Sequence, residues 1–205
     1  MHLKQGVPKT ISALTLVLAL TLSACAPGTP SAERQWEELR EQYRTMDSLE
    51  AKGTLTANYD DRVYTFSVVL SGDEDNGTLT VTAPENIAGS VIQWTDDALT
   101  LDVEDVHLET GTLSPDGLSP ADALPAILST VQEGIVLTCG ICETETEPLV
   151  EVELQNPAAE RCTVHCGFCA ENGALRYAEL YEDGRRVITL ELDSFIITPD
   201  NSPDA

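Results

Sequence analysis

Apolar residues recur along this chain with two different periods, one typical of α-helices and one typical of β-strands. A stripe at helical spacing predicts a first helix over residues 30–47, and its members are Trp36, Leu39, Tyr43 and Met46. From Leu49 onward apolar and polar residues alternate, which is the pattern of half-buried strands. The two periods therefore predict one helix followed by a meander of strands.

Turn signals divide the alternating region into strands that follow one another directly. Asn76-Gly77 favours a hairpin turn because both residues tolerate positive φ. Further turn signals are Asp60-Asp61, Asp96-Asp97, Asn172-Gly173 and Asp183-Gly184. In the second half of the chain the predicted strands are 135–142, 149–154, 161–168, 175–181 and 186–195.

A second helix interrupts the strands between residues 119 and 134. Ser119 is predicted to cap this helix, with Pro120 at its first position and Gly134 at its end. Its apolar face is formed by Leu124, Ile127, Leu128 and Val131. The order helix, strands, helix, strands predicts an α+β fold with a large antiparallel sheet, and it disfavours a parallel sheet of alternating strands and helices.

The first 25 residues have the features of an export signal. Lys4 and Lys9 precede an apolar run of 12 residues, Ile11–Leu22. A membrane-spanning helix needs about 20 residues, so this run fits the core of a secretory signal peptide better. Leu22-Ser23-Ala24-Cys25 resembles the bacterial lipobox. The alternatives are an ordinary signal peptide with a chance cysteine, or a membrane anchor that stays uncut.

The lipobox resemblance implies that the chain is cut before Cys25 and that the Cys25 thiol is lipidated, with palmitate among the acyl chains. The predicted organisation is a lipoprotein signal peptide over 1–24, a tether over 25–30, a single domain over 31–198 and a flexible tail over 199–205. Two or three acyl chains hold a protein stably at a membrane, whereas one chain does not. The predicted location is the cell membrane, on its extracytoplasmic side.

The charge of the chain is strongly negative and limits its partners. With 35 acidic and 11 basic residues, the formal net charge is -24. Nucleic acid and anionic lipid headgroups would be repelled, so simple binding to either is excluded. Between Arg62 and Arg161 there are 19 acidic residues and no Lys or Arg. That stretch is either a solvated surface, a surface for a partner with a basic face, or a weak calcium site.

The order of elements resembles that of lipoprotein-carrier proteins of the LolA and LolB type. The stretches LSPDGLSPADALPAIL (113–128) and ENGALRYAELYEDGRRVITLEL (171–192) are also similar to germination-type lipoproteins of Gram-positive spore formers. The resemblance implies a curved antiparallel sheet that forms an incomplete β-barrel, with an N-terminal helix and one inserted helix on its concave face. It also implies binding of acyl chains or protein partners, and it implies no catalysis.

Motifs of the common enzyme classes are absent from the sequence, and no cofactor is expected. The chain has no nucleophile elbow, no phosphate-binding loop and no zinc-protease helix. His107 and His165 lie outside any motif, so a structural role is predicted for both. The acidic pairs Asp96-Asp97 and Glu104-Asp105 are interpreted as turns and solvated surface, and residues 73–77 as a hairpin turn in preference to a calcium loop.

Two cysteine pairs share the pattern Cys-Gly-apolar-Cys and are the sharpest local signal for chemistry. The five cysteines concerned are Cys139 and Cys142, then Cys162, then Cys166 and Cys169. Four thiolates could bind zinc, but 23 residues separate the two pairs, whereas zinc ribbons typically have roughly 15–20. Exported cysteines commonly form disulfides, so disulfides or unpaired thiols are favoured over a metal site, and a redox pair is the third alternative.

The order of the strands limits which of these cysteines can form disulfides with each other. If 135–142, 149–154 and 161–168 are consecutive strands, the first and the third lie about 9.6 Å apart, which is twice the strand spacing. A disulfide requires Cα atoms within about 7 Å of each other. Regular strands therefore exclude a cross-link between the two pairs unless the strand ends bulge.

The sequence thus predicts a lipid-anchored extracytoplasmic binding or scaffolding protein without catalytic activity. Its groove or sheet edge would bind a hydrophobic ligand, such as an acyl chain, or an envelope protein with a basic face. A homodimer through the sheet edge is a further alternative. The alternative from another class is an envelope enzyme, or a thiol or metal protein that uses the cysteine pairs.

Overall fold

The computed structural model describes residues 31–59, 61–73, 76–95, 98–103, 106–109, 118–157 and 159–199. The predicted signal peptide, Cys25, the tether up to residue 30 and residues 200–205 lie outside this part of the chain. No helix in the described part is long and apolar enough to cross a membrane.

Two α-helices and eleven β-strands make up the described residues. The helices are α1 (Ala32–Arg44) and α2 (Ala123–Glu133), and a 3-10 helix covers Glu85–Ile87. The first six strands are β1 (Met46–Tyr59), β2 (Arg62–Gly72), β3 (Gly77–Ala83), β4 (Val91–Trp94), β5 (Leu99–Val103) and β6 (Val106–Glu109). The strands after α2 are β7 (Ile135–Glu143), β8 (Pro148–Gln155), β9 (Cys162–Cys169), β10 (Leu175–Glu182) and β11 (Arg185–Pro199).

All eleven strands join one antiparallel sheet in the order β6-β5-β4-β3-β2-β1-β11-β10-β9-β8-β7. Hairpins connect the neighbours within each half, and the first and last strands meet in the middle, with Leu55 opposite Leu190. The edge strands are β6 and β7, and within the described residues they do not pair with each other, so the sheet stays open. The predicted fold class, an α+β fold with an incomplete antiparallel barrel and two helices, is confirmed.

Both helices pack on the same face of the sheet, which is called the inner face below. Helix α1 contacts β7 and β8, and α2 contacts β8 and β10. The fully buried Phe168 of β9 lies under α1, with ring centroids 5.5 Å from Trp36 and 5.3 Å from Tyr43. The Tyr43 hydroxyl donates a hydrogen bond of 2.9 Å to the carbonyl of Gly173, so this buried tyrosine keeps a polar partner.

The predicted apolar face of α2 is buried, because Leu124, Ile127, Leu128 and Val131 are at most 3 % exposed. Arg40 of α1 forms hydrogen bonds with the C-terminal end of this helix. Its guanidinium donates from Nε to the carbonyl of Gln132 at 2.8 Å and from Nη2 to the carbonyl of Gly134 at 2.7 Å. A cation at a helix C-terminus satisfies carbonyls that lack partners within the helix. Arg40 therefore fixes the two helices to each other.

Two helix boundaries differ from the prediction. Helix α1 ends at Arg44, and Met46 is the first residue of β1 although it was predicted on the helical stripe. Both Met46 and Leu49 are buried. Met46 follows the buried Tyr43 of α1 by three residues, which imitates helical spacing, and a register shift between Met46 and Ser48 interrupts the strand alternation from Met46 to Leu49.

Helix α2 begins at Ala123, so Ser119 is not its cap and Pro120 is not its first residue. The Ser119 hydroxyl instead accepts a hydrogen bond of 3.3 Å from the backbone of Ala121 within a preceding turn. Pro125 lies in the first turn of the helix, where backbone N–H groups have no acceptor within the helix. The later start is therefore compatible with this proline.

Candidate functional site

The half of the sheet away from the helices carries an apolar inner face that the strand register assembles. Residues paired across antiparallel strands point to the same face, so one row crosses five strands in the order Leu70, Leu79, Ile92, Leu101 and Leu108. The alternate positions of these strands, which point outward, are largely threonine, serine and glutamine. This half therefore has one apolar and one polar face.

A cavity of about 260 Å³ lies on this apolar face and is called the groove below. Its apolar lining consists of Leu55, Phe66, Val68, Leu79, Val81, Ile87, Ile92, Leu101, Val103, Pro120 and Ala121. Ser90 and Ser119 are the polar residues of its lining, and no charged residue of the described chain lines it. An uncharged, largely aliphatic cavity favours an apolar ligand.

Exposed apolar side chains adjoin residues that line the groove, because Val106 is opposite Val103, Leu108 is opposite Leu101 and Tyr64 contacts Phe66. Val106 and Leu108 of β6 are 55 % and 46 % exposed, and Tyr64 of β2 is 40 % exposed. The Tyr64 ring stacks on Phe66 at 6.5 Å between centroids, which links this exposed surface to the lining of the groove. Contiguous exposed apolar surface is uncommon on monomeric proteins and marks binding sites.

The chain that leads into α2 forms one wall of the groove. Ser119, Pro120 and Ala121 belong to the lining, and the carbonyl of Leu118 accepts a hydrogen bond of 2.6 Å from the Tyr59 hydroxyl. Tyr59 lies at the end of β1, so this hydrogen bond ties the wall to the sheet. The wall thus has a fixed position, as a preformed binding site requires.

The five predicted thiol residues lie on β7 and β9, which flank β8. Cys139 and Cys166 are both opposite Val152, and Cys142 and Cys169 are both opposite Leu149. With β8 between them, the strands are about 9.6 Å apart, beyond the reach of a disulfide. No disulfide joins the described cysteines. The strand order is thus the one that the sequence predicted as an obstacle to a cross-link.

Each Cys-Gly-apolar-Cys motif directs its two thiols to opposite faces of the sheet. Residues three apart in a strand point in opposite directions, so Cys139 faces inward with Val152 and Cys142 faces outward. The described residues contain no group of three or more His, Cys, Asp and Glu that could hold a metal ion. Burial raises the pKa of the Cys166 and Cys139 thiols, which favours the neutral form.

The other polar candidates are distributed over the outer face and the turns. His165 lies on β9 with its Nδ1 atom 3.7 Å from Glu179, away from the groove. The backbone of His107 pairs with Asp102 on β5, and its side chain lies outside the described residues, as do both acidic pairs. Where β2 connects to β3, Gly72 is opposite Gly77 and the Asp73 carboxylate accepts a hydrogen bond of 2.7 Å from the backbone of Asn76, while residues 74 and 75 lie outside the described chain. The preferred interpretation as a hairpin turn is confirmed.

One ion pair outside the groove makes the free energy of unfolding depend on pH. Arg176 donates from Nε and Nη2 to the two carboxylate oxygens of Glu147 at 2.5 and 2.9 Å. These hydrogen bonds lower the pKa of Glu147 from 4.5 to about 2. Because the folded state has the lower pKa, this contribution to stability is present above about pH 4.5 and is lost as the pH falls toward 2.

Between pH 4.5 and pH 2, the free energy of unfolding of Glu147→Gln is therefore expected to fall less than that of the wild type. The measurement is denaturant unfolding at several pH values in this range, for the wild type and the variant. The matched control is Glu145→Gln, because Glu145 is exposed on the same loop. An unchanged pH slope in Glu147→Gln would show that the Arg176 ion pair is absent in solution.

Comparisons with known proteins identify the fold. No protein-family model matches the chain, and no curated protein does. A DUF1329 family protein from Desulfovibrio piger matches with a TM-score of 0.50 and 12 % identity over 86 % of this chain and 96 % of that chain. An uncharacterized conserved protein from Thermus thermophilus matches with a TM-score of 0.51 and 6 % identity over 82 % and 88 % of the two chains. A LolA superfamily protein from Nitrosomonas europaea has a TM-score of 0.48 and 14 % identity over 86 % and 96 %.

Proposed function

We propose that this protein of LolA-like fold is a lipid-anchored binding protein of the cell envelope whose groove takes up a hydrophobic ligand. The single observation that carries the proposal is the uncharged cavity of about 260 Å³ on the apolar inner face. The ligand class is an acyl chain or a similarly apolar molecule, because the lining offers two serines and no charge for recognition of a polar group.

The proposed anchor is the lipid on Cys25. Acyl chains insert into the bilayer, while a domain with a net charge of -24 is repelled by anionic headgroups. A short tether then holds the groove close to the bilayer without contact between the domain and the headgroups. This arrangement would place the groove where apolar ligands are concentrated, on the extracytoplasmic side of the membrane.

A second candidate function is capture of an envelope protein at a sheet edge. It is favoured by β7, an edge strand whose Ile135, Val136, Leu137 and Ile141 are between 36 % and 68 % exposed. The two functions use different surfaces, since the groove is lined by residues of β1 to β5 and of the chain before α2. An envelope enzyme, or a protein that uses its thiols or a metal, is the alternative from another class.

Filling the groove is expected to abolish binding of a fatty acid. Val103 of β5 lines the groove and is half-buried, so Val103→Trp would place an indole in the cavity. The matched control is Thr100→Trp on the same strand, because Thr100 points to the outer face. With the fluorescent fatty acid cis-parinaric acid as the probe, Val103→Trp should bind at least about tenfold more weakly, a loss of about 1.4 kcal/mol.

The control is expected to bind the probe like the wild type. Equal binding by all three chains, or no binding by the wild type, would contradict the groove proposal. Thermal unfolding of the same samples separates loss of the groove from loss of the fold, because a folded variant retains a cooperative transition.

A further inference from the structure

We propose that the outer edge of β7 receives an extended segment of another protein that alternates apolar and basic residues and adds a strand to the sheet. This inference rests on the second candidate function above and names the edge and the chemistry of the partner. It concerns a different surface from the groove, so the two proposals can fail separately.

Within the described residues, the outer edge of β7 has no partner strand. The strand ends the sheet order, and no described strand pairs with its outer side. A register shift lies between Val136 and Thr138, after which the pairing with β8 is regular from Thr138 to Glu143. Natural edge strands are commonly blunted by lysine, by proline or by being very short. Strand β7 has nine residues and contains neither lysine nor proline. The other edge strand, β6, has four.

Apolar side chains on β7 remain accessible at this edge. Ile135 is 68 % exposed, Leu137 48 %, Ile141 40 % and Val136 36 %. On the neighbouring strand β8, by contrast, Val150, Val152 and Leu154 are fully buried. An added strand would therefore cover apolar surface as well as satisfy backbone donors and acceptors, which is the combination used in strand addition.

Carboxylates flank this edge on both faces of the sheet. On the inner face the exposed Glu33 and Glu37 of α1 lie close enough to Cys139 to raise the pKa of its thiol, although burial is the larger cause. On the outer face Glu151 is opposite Gly140 and Glu153 is opposite Thr138.

Basic residues near the edge are few and already engaged. The chain has no Lys or Arg from residue 63 to 160, a range that includes the whole β7–β8 hairpin. Arg40 and Arg44 of α1 donate to the carbonyl of Gln132, and Arg34 pairs with Glu38. Hydrogen bonds to carbonyls leave these arginines charged, but the carboxylates of α1 and of the β7–β8 hairpin outnumber them. The field at this edge is therefore negative, and it selects a segment that carries Lys or Arg between its apolar residues.

A second copy of this chain is the less favourable occupant. Pairing β7 with β7 would bring two hairpins together that each carry Glu143, Glu145, Glu151 and Glu153 and no cation. A fifth carboxylate, Glu147, is already paired with Arg176. Like charges on adjacent strands are destabilising, and they act against a wrong partner. Charge thus distinguishes a basic segment from self-association, although both would satisfy the backbone of the edge.

The test uses a nine-residue peptide of alternating valine and lysine as the probe and the full chain in a mild detergent. Binding should protect backbone amides of 135–142 from hydrogen exchange, because an added strand forms hydrogen bonds with that edge. A peptide of alternating valine and glutamate should not bind. Glu37→Gln combined with Glu153→Gln, one carboxylate from each face, should weaken binding of the lysine peptide about threefold to tenfold.

A matched pair of lysine substitutions locates the site. Ile141→Lys places a cation in the regular part of the edge and is expected to abolish binding, whereas Ile196→Lys in the central strand β11 should have no effect. Equal binding of the two peptides, or binding by Ile141→Lys like the wild type, would overturn the proposal. A dimer that Ile141→Lys dissociates, without any binding of the lysine peptide, would assign the edge to a second copy instead. Val103→Trp should bind the peptide normally, which keeps this test separate from the groove.

Discussion

A Cys25→Ser chain is expected to take up no fatty-acid label, whereas the wild-type chain becomes labelled. The resemblance of Leu22-Ser23-Ala24-Cys25 to the lipobox is the basis of this expectation. The diacylglycerol is attached to a thiol, and serine offers only a hydroxyl at that position. Since each buried methylene contributes about 0.8 kcal/mol to membrane binding, loss of two or three acyl chains removes the stable anchor.

The measurement is metabolic labelling with a clickable fatty acid, followed by detection of the labelled chain on a gel. Cys142→Ser is the matched control, because it removes another accessible cysteine and leaves the lipobox unchanged. Its label should equal that of the wild type. Equal labelling of Cys25→Ser and the wild type would show that the acyl chain is attached elsewhere.

Phe168→Ala is expected to cost about 3–5 kcal/mol of unfolding free energy, the largest effect predicted for a single core residue. The ring is fully buried on β9, and its centroid lies 5.5 Å from that of Trp36 and 5.3 Å from that of Tyr43, both on α1. Truncation would leave a cavity under the helix and remove two aromatic contacts at once. Denaturant unfolding measures the loss, and tryptophan fluorescence in a Trp94→Phe background reports the change at Trp36.

Phe66→Ala is the matched control for this prediction. The same atoms are removed, but Phe66 lines the groove and is half-buried, so it loses less apolar contact with the folded protein. Its cost should be smaller than that of Phe168→Ala, because stabilisation scales with the apolar area buried, at about 25 cal/mol per Å². Equal costs would mean that the groove is closed and packed in solution.

Local patterns in the sequence predicted most of the elements, because each helix and strand is marked by its own period. The apolar face of α2 and the strands β7 to β11 were predicted within a few residues. The end of α1 was wrong because the buried strand residue Met46 follows the buried helix residue Tyr43 by three positions, and its pairing with β11 is irregular. Such an irregularity depends on the partner strand, and the partner cannot be identified from the local pattern.

The groove was anticipated only as incompletely covered apolar surface, without its residues. The alternation from Leu49 onward predicted strands with one apolar face, but it did not show which half of the sheet the helices cover. That choice follows from long-range contacts such as Arg40 with Gly134 and Tyr43 with Gly173. The exposed edge of β7 was hidden for the same reason, since Ile135, Val136 and Leu137 have the composition of a buried strand.

The pairing of β1 with β11 in the middle of the sheet has a consequence for the order in which the protein can fold. Strand β1 can form a hairpin with β2 at once, but its other side is completed by β11, which is synthesised more than half a chain later. Contacts between residues so distant in sequence form slowly. The sheet therefore stays incomplete until residues 185–199 arrive, and a chain exported as proposed would cross the membrane before its two halves have joined.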